Sequence, residues 1–532
     1  MIISIALKEF YNNLVSARFA IGFLLCLVLV PLTLIVSIND YKGKLREYES
    51  QKKEAENSLQ VRVYSKLHPE VVRPLKPLSI FTRGVSYNVG SKVKILLGEK
   101  PMLSSGGSLV RENPFLNAFF SMDFITILAI TLSLLALLFT YDSCSGEREQ
   151  GTLKLVFSNS LGRAKFLLGK VIGVCLTLLP ITLFCYLLAA LVIILSPQVS
   201  FSVMEWISIG VLFVVSIIFF GLCMMVGLFI SCRLRSSVTS IIVCLFIWVL
   251  FLFILPNLST YAARSFINVS SREKLDLALQ EIDSEFNSKC DQHQKSMEEP
   301  PYGMWYWNYW GGEYGDYEEA GSPDLVMKYH WQLNQFTEPL RIDYADKKWP
   351  LQKSYLEELD RQRKFAERLS LLSPSEIFRL AASTLCGTDV SAHYSFLERT
   401  REYREEFIDF FKNKKIFESY QYFTRQPPEN LMTLDEIIRV RSGGLVNNQQ
   451  ELSEWQRLNK DGFSVLFKVD IPGSHNEDYE PLDLSDMPKF NWQQGTIAGN
   501  LKKCLDKIGM LVSAGVLLFF LSFVSFVRYD VR

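Results

Sequence analysis

Six apolar stretches interrupt this chain, at about 19–38, 119–141, 171–196, 206–231, 237–255 and 509–527. Each approaches the roughly 20 residues that a helix needs to cross a bilayer's hydrocarbon layer. Lipid offers backbone groups no partner, so such stretches fold as a bundle of spanning helices. That excludes an ordinary soluble protein, and a disordered or collagen-like one. The first stretch contains Pro31, tolerated because neighbouring helices can satisfy the carbonyl it frees. It is expected to be a span rather than a secretory leader: the apolar run is long, and no small-residue cleavage site precedes Asn39-Asp40.

Short loops keep Lys and Arg on the cytoplasmic side. If the N-terminus is inside, segments 1–18, 142–170, 232–236 and 528–532 are inside too. They hold Lys8, Arg18, Arg148, Lys154, Arg163, Lys165, Lys170, Arg233, Arg235, Arg528 and Arg532, whereas the loop Pro197–Glu205 holds none. Both termini are therefore expected to be cytoplasmic. Segments 39–118 and 256–508, together 333 of 532 residues, then fall outside. Within the six stretches the only ionisable carboxylate or base is Asp123. Ion-driven carriers and intramembrane hydrolases place such groups at mid-membrane, so work here must draw on another source of power.

Balanced charge, 56 Lys+Arg against 56 Asp+Glu, leaves no basic excess for nucleic acid. Seven of the ten cysteines lie in or beside the stretches; Cys290, Cys386 and Cys504 lie outside and permit one disulfide at most. No CxxC pair exists and the five histidines are scattered, so no metal site is expected. Neither HExxH nor GxSxG occurs, and no catalytic residue is expected. A phosphate-cradling glycine loop is missing as well: Gly162 to Gly169-Lys170-Val171 has the wrong spacing, and Val171 has no hydroxyl for magnesium.

The longest inner loop, 142–170, has a pattern. Gly146 and Gly151 flank Glu147-Arg148-Glu149, and a short amphipathic helix can start near Thr152, with Leu153, Leu155, Val156 and Phe157 as its apolar side and Lys154 and Ser158 exposed. A second helical start falls near Gly162-Arg163. A helix lying across the inner membrane surface suits contact with a soluble partner, and amphipathicity alone equally suits a membrane-interface linker.

The run Ser145-Gly-Glu-Arg-Glu-Gln-Gly-Thr-Leu153, then Ser158-Asn-Ser-Leu-Gly-Arg163, then Leu168-Gly-Lys170 resembles the loop of ABC-2-type permeases, membrane subunits of ATP-binding-cassette exporters. The resemblance implies a coupling helix seated in a groove of the ATPase, built on Glu147, Glu149, Gly151, Thr152, Leu153, Leu155, Ser158, Arg163, Gly169 and Lys170. Where the family usually has proline, this chain has Ser160 or Leu161. Residues 1–18 resemble the family's amphipathic elbow helix. Arg73-Pro-Leu-Lys-Pro-Leu-Ser-Ile-Phe81, Leu372-Ser-Pro-Ser375, Gly387-Thr-Asp389 and the terminal Phe526–Arg532 resemble a subgroup with large inserts after the first and fifth spans. Gliding-motility-type and copper-site-maturation-type permeases are related.

The implied fold is mainly α, a six-helix transmembrane bundle (type V exporter-like) with a large, mostly helical extracytoplasmic domain. Its parts would be an elbow at 1–18, spans at 19–38, 119–141, 171–196, 206–231, 237–255 and 509–527, inserts at 39–118 and 256–508, the coupling loop at 142–170 and a tail at 528–532. The implied setting is the bacterial cytoplasmic (inner) membrane. The implied partners are an ABC ATPase dimer that binds ATP and Mg, a second permease subunit (identical or related) and membrane lipids, with an extracytoplasmic partner in a mechanotransmission reading; this chain would bind no cofactor itself.

Outside the bundle, Leu275, Leu279, Ile282 and Phe286 form one helical stripe. Ser373-Pro-Ser-Glu376 reads as a capping box with proline at the first helical position. A further helix over about 391–413 carries Phe396, Tyr403, Phe407 and Phe411. Residues 300–318 hold Trp305, Trp307 and Trp310. That loop has three readings: a packed loop core, a dip into the membrane interface, or a gate or ligand platform.

Overall fold

The computed structural model describes residues 2–84, 90–102, 123–158, 162–197, 199–298, 324–422, 433–459, 481–493 and 495–528. The aromatic loop with Trp305, Trp307 and Trp310 lies outside them. The chain is mostly helical. Among the described residues five helices are long and apolar enough to cross a membrane: Ala17–Asn57, Arg163–Ile194, Val203–Arg233, Ser237–Phe266 and Ile497–Val527. A shorter apolar helix, Phe124–Leu138, is buried among them, with Phe124, Leu128 and Leu132 fully enclosed. Leu24, Leu187, Phe246 and Phe520 point outward, as side chains do that meet lipid rather than water.

Three helices run past the apolar stretches read from the sequence. Helix Ala17–Asn57 runs unbroken for 41 residues, about 60 Å at 1.5 Å per residue. Its second half is rich in Lys, Arg and Glu, which propagate a helix as well as leucine does. The last long helix likewise begins at Ile497, capped by Thr496, ahead of the apolar stretch 509–527. The helix from Ser237 also continues past 255, to Phe266, through a π-helical turn, Leu250–Ile254.

That turn has a local cause. Leu255 N–H bonds back to the Leu250 carbonyl, five residues away. The next donor in the same pattern would be residue 256, which is proline and has none, so the Phe251 carbonyl is left over. Ser373 and Ser375 donate their hydroxyls to it at 2.5 and 2.9 Å. The expected capping box is therefore half made: Ser373 accepts from Glu376 N–H at 3.5 Å, while the Glu376 carboxylate goes to Arg379 at 2.7 Å. Replacing both serines by alanine is expected to cost about 1–3 kcal/mol, the price of an unsatisfied buried carbonyl. The readout is a lower melting temperature of the detergent-solubilised protein, and an unchanged one would show that these donors are dispensable.

Helix Pro374–Cys386, begun by this anchor, is driven into the bundle end. Phe378 is fully buried and stacks on Phe219 of helix Val203–Arg233, with ring centroids 4.6 Å apart. Asp123 caps helix Phe124–Leu138 through Thr126 N–H (2.8 Å) and also accepts Arg83 N–H (3.1 Å). The lone carboxylate of the apolar stretches thus serves as a helix cap and strap anchor.

The two inserts share a second core. Phe396, Leu397, Tyr403, Phe407 and Phe411 of helix Val390–Asn413 pack on Tyr64, Val71, Val93 and Ile95. Val71 and Val93 belong to a two-stranded antiparallel sheet, Glu70–Val72 with Lys92–Lys94, in which Glu70 faces Lys94. Arg404, with no exposed surface, donates to the Leu96 carbonyl at 3.1 Å and to that of Leu97. All ten cysteines are free thiols.

Candidate functional site

Loop 142–170 meets the elbow helix Ile2–Val15 where the long helices Ala17–Asn57 and Arg163–Ile194 begin. The elbow presents Ile3, Leu7, Tyr11 and Leu14 outward, all exposed, and buries Ala6, Glu9 and Asn13. Its apolar stripe thus faces the position of lipid and its polar side faces the protein. Two glycines make this close approach possible. A Cβ at Gly169 would lie 2.8 Å from Ile5 Cβ, and one at Gly173 would lie 2.8 Å from the Ala6 carbonyl oxygen. Small residues four apart let two helix backbones touch in this way.

Against this seam lies a charged cluster. Lys170 (4% exposed) bonds Glu9, itself almost buried, and lies 3.1 Å from Glu147. Glu147 also accepts the Thr152 hydroxyl and has Lys8 at 3.7 Å. One carboxylate therefore ties together the elbow, the loop and the foot of a long helix. Burial pushes the Glu147 carboxyl up, but the Lys170 charge, the Thr152 hydroxyl and Lys8 outweigh it and hold the group below its ordinary value.

The rest of the loop is fixed by equally specific contacts. Helix Ser145–Glu149 starts where the Cys144 and Ser145 N–H groups both donate to Ser231 Oγ, at 2.9 and 3.1 Å. Arg148 donates to the Leu234 carbonyl at 3.0 Å. Gly151, at φ +72°, turns the chain into helix Thr152–Ser158; glycine adopts that conformation without steric cost. Leu153 is buried with Phe166, Leu167, Leu228 and Phe526, and the half-buried Val156 and Phe157 pack against the same group. The apolar side of the short helix thus seats on the chain's own core. Leu155 and Ser158 belong to this helix, but their side chains lie outside the described set. Arg163 donates to the carbonyls of Phe526 and Val527, closing the end of helix Ile497–Val527.

The turn Glu149-Gln150-Gly151 faces outward, all three residues exposed, as are Gly162, Ala164 and Lys165 further along the loop. Glu149 is not wholly free, since it accepts Ser237 N–H at 3.1 Å and so caps the helix Ser237–Val249; that bond holds its carboxyl below the ordinary range. Sequence reasoning missed Glu9, Ser231 and Ser237, and it noted Phe526 only as part of the terminal stretch, not of this site. Glu9 left a signal as an acidic residue on the elbow. Among the described residues no group of three or more His, Cys, Asp or Glu could hold a metal ion.

A family model, ABC-2 family transporter protein, matches residues 3–400, which include the elbow, the loop and four of the five long apolar helices. No curated protein matches the chain.

Proposed function

Because this chain belongs to the ABC-2 family of transporter proteins, and so is the membrane-embedded permease subunit of an ABC transporter, we propose that ATP hydrolysis in a separate ATPase subunit drives it through loop 142–170. The observation that carries this reading is Glu147, held at once by Lys170, Thr152 and the elbow's Lys8. A push on the exposed turn 149–151 reaches both the elbow and helix Arg163–Ile194 as one unit, which is what coupling through a two-state element requires. ATP and Mg belong to the ATPase pair. A second permease, identical or related, completes the path.

On this reading helix Phe124–Leu138 is the core of a sixth span, both termini are cytoplasmic, and the inserts form one extracytoplasmic helical domain on the inner membrane of a bacterium. The direction is export. A second reading, motion delivered to an extracytoplasmic partner without cargo, draws on helix Pro374–Cys386, which is anchored at Phe251 and Phe219 and would pass span motion to the outer domain.

The test is Glu149→Arg in the reconstituted transporter. Transport and permease-stimulated ATPase activity should both fall to background while insertion is unchanged. Glu149→Gln, which keeps an acceptor for Ser237 N–H, separates the capping role from the charge. Full coupled turnover in Glu149→Arg would overturn the coupling role.

A further inference from the structure

Two stretches singled out in the sequence, Arg73–Phe81 and Gly387-Thr388-Asp389, play no part in the coupling site, yet the fold presses them together. A Cβ at Gly84 would collide with Thr388, and one at Gly387 with the Lys76 side chain; both glycines also need positive φ, +54° and +64°. Between the stretches lies a cavity of about 50 Å³. It is lined by Lys44, Arg73, Lys76, Arg83, Thr388 and Trp492, among others, and among the described residues no carboxylate lines it. Asp40 pairs with Arg83 from outside the lining. Arg73 and Arg83 are each only 8% exposed.

We propose that this cavity binds a phosphate group. Four cationic side chains converge on a space with room for about three waters, close to the size of one tetrahedral oxyanion. Arginine forks match phosphate oxygens in pairs, and Thr388 adds a neutral partner. Burial pushes Arg73 down to about 10 and lowers Lys76, so both cations stand largely away from water.

Depth narrows the source. Lys44 stands six residues beyond Ile38 on one continuous helix, about 9 Å further along, which is the level of lipid headgroups when 19–38 fills the hydrocarbon layer. An adjoining cavity of about 820 Å³ shares Arg83 and is of mixed charge, lined by Lys503 and Lys507 but also by Asp123, Glu367, Glu376 and Asp389. It has room for whatever the phosphate is attached to. The phosphate thus comes either free or on a lipid headgroup. The proposal does not depend on loop 142–170 and stands or falls apart from it.

The experiment uses the full chain in detergent, without ATPase or nucleotide, titrated separately with inorganic phosphate and with short-chain phosphatidic acid, with chloride as control. Thermal shift and calorimetry give Kd. Saturable binding of either probe is expected, weakened at least tenfold in the Arg73→Gln/Lys76→Gln double variant. Should that variant not fold, Lys44→Gln, on a half-exposed helix position, is expected to weaken binding several-fold. Binding of the lipid alone identifies the headgroup as the source, and binding of both identifies the phosphate itself. No binding of either probe to the native chain, or equal binding to native and folded variant chains, overturns the proposal.

Discussion

Replacing Lys170 by methionine is expected to destabilise the elbow–loop junction by about 3–5 kcal/mol, because it strands two carboxylates that face one buried cation. Glu9 and Glu147 both lie against Lys170, whose side chain is 4% exposed. Methionine nearly preserves the volume of lysine, so lost packing contributes little, and the cost is electrostatic. The sign can be checked by restoring neutrality: Lys170→Met with Glu9→Gln and Glu147→Gln should recover most of the melting temperature, since replacing all members of a buried ion cluster is often close to neutral. The triple variant should still fail to stimulate the ATPase, as the single carboxylate joining elbow, loop and helix is gone. A single variant that melts with the native protein, or a triple variant with full coupled turnover, would refute this account.

That cluster shows how far the sequence could be read. Glu147, Thr152 and Lys170 stand within one short segment of recognisable pattern, so they were visible. Their partners reach across the chain: Ser231 lies 86 residues from Ser145, and the Phe526 carbonyl lies 363 from Arg163. Contacts of that kind leave no periodic trace. Leu153 was read as part of an apolar side suited to a partner or to the membrane interface, and it is buried against Phe166 and Phe526 of its own chain, because an apolar stripe does not say which surface covers it. Hydropathy located the apolar stretches but not the helix ends at Phe266 and Ile497, since it measures affinity for lipid while helices continue through polar and charged residues. The π turn at Leu250–Ile254 could not be foreseen from Pro256 alone; its consequence, a carbonyl caught by Ser373 and Ser375, needs two segments 122 residues apart.

Phe378→Ala should cost about 3–5 kcal/mol, the range for emptying a fully buried phenylalanine site. The figure applies in full here for a specific reason. Residues of the long apolar helices exchange lipid for protein when they pack, so their burial gains little from the hydrophobic effect. Helix Pro374–Cys386 differs: its exposed Arg379 and its place between polar segments mean that it leaves water, not lipid, when it docks. Phe378 then carries the whole transfer term, plus its stack on Phe219 at 4.6 Å and 2°. The site cannot collapse easily, since Ala381, Ala382 and Leu385 of the same helix are already buried in the same core. Phe378→Leu, which keeps most of the volume, should cost less than half as much. Both variants are to be melted in nanodiscs and followed by protease accessibility of the 390–422 region, which should rise before the apolar helices are affected. A Phe378→Ala protein with native melting and native protection would show that this helix rests on the bundle rather than in it, and the route from span motion to the outer domain would fail with it.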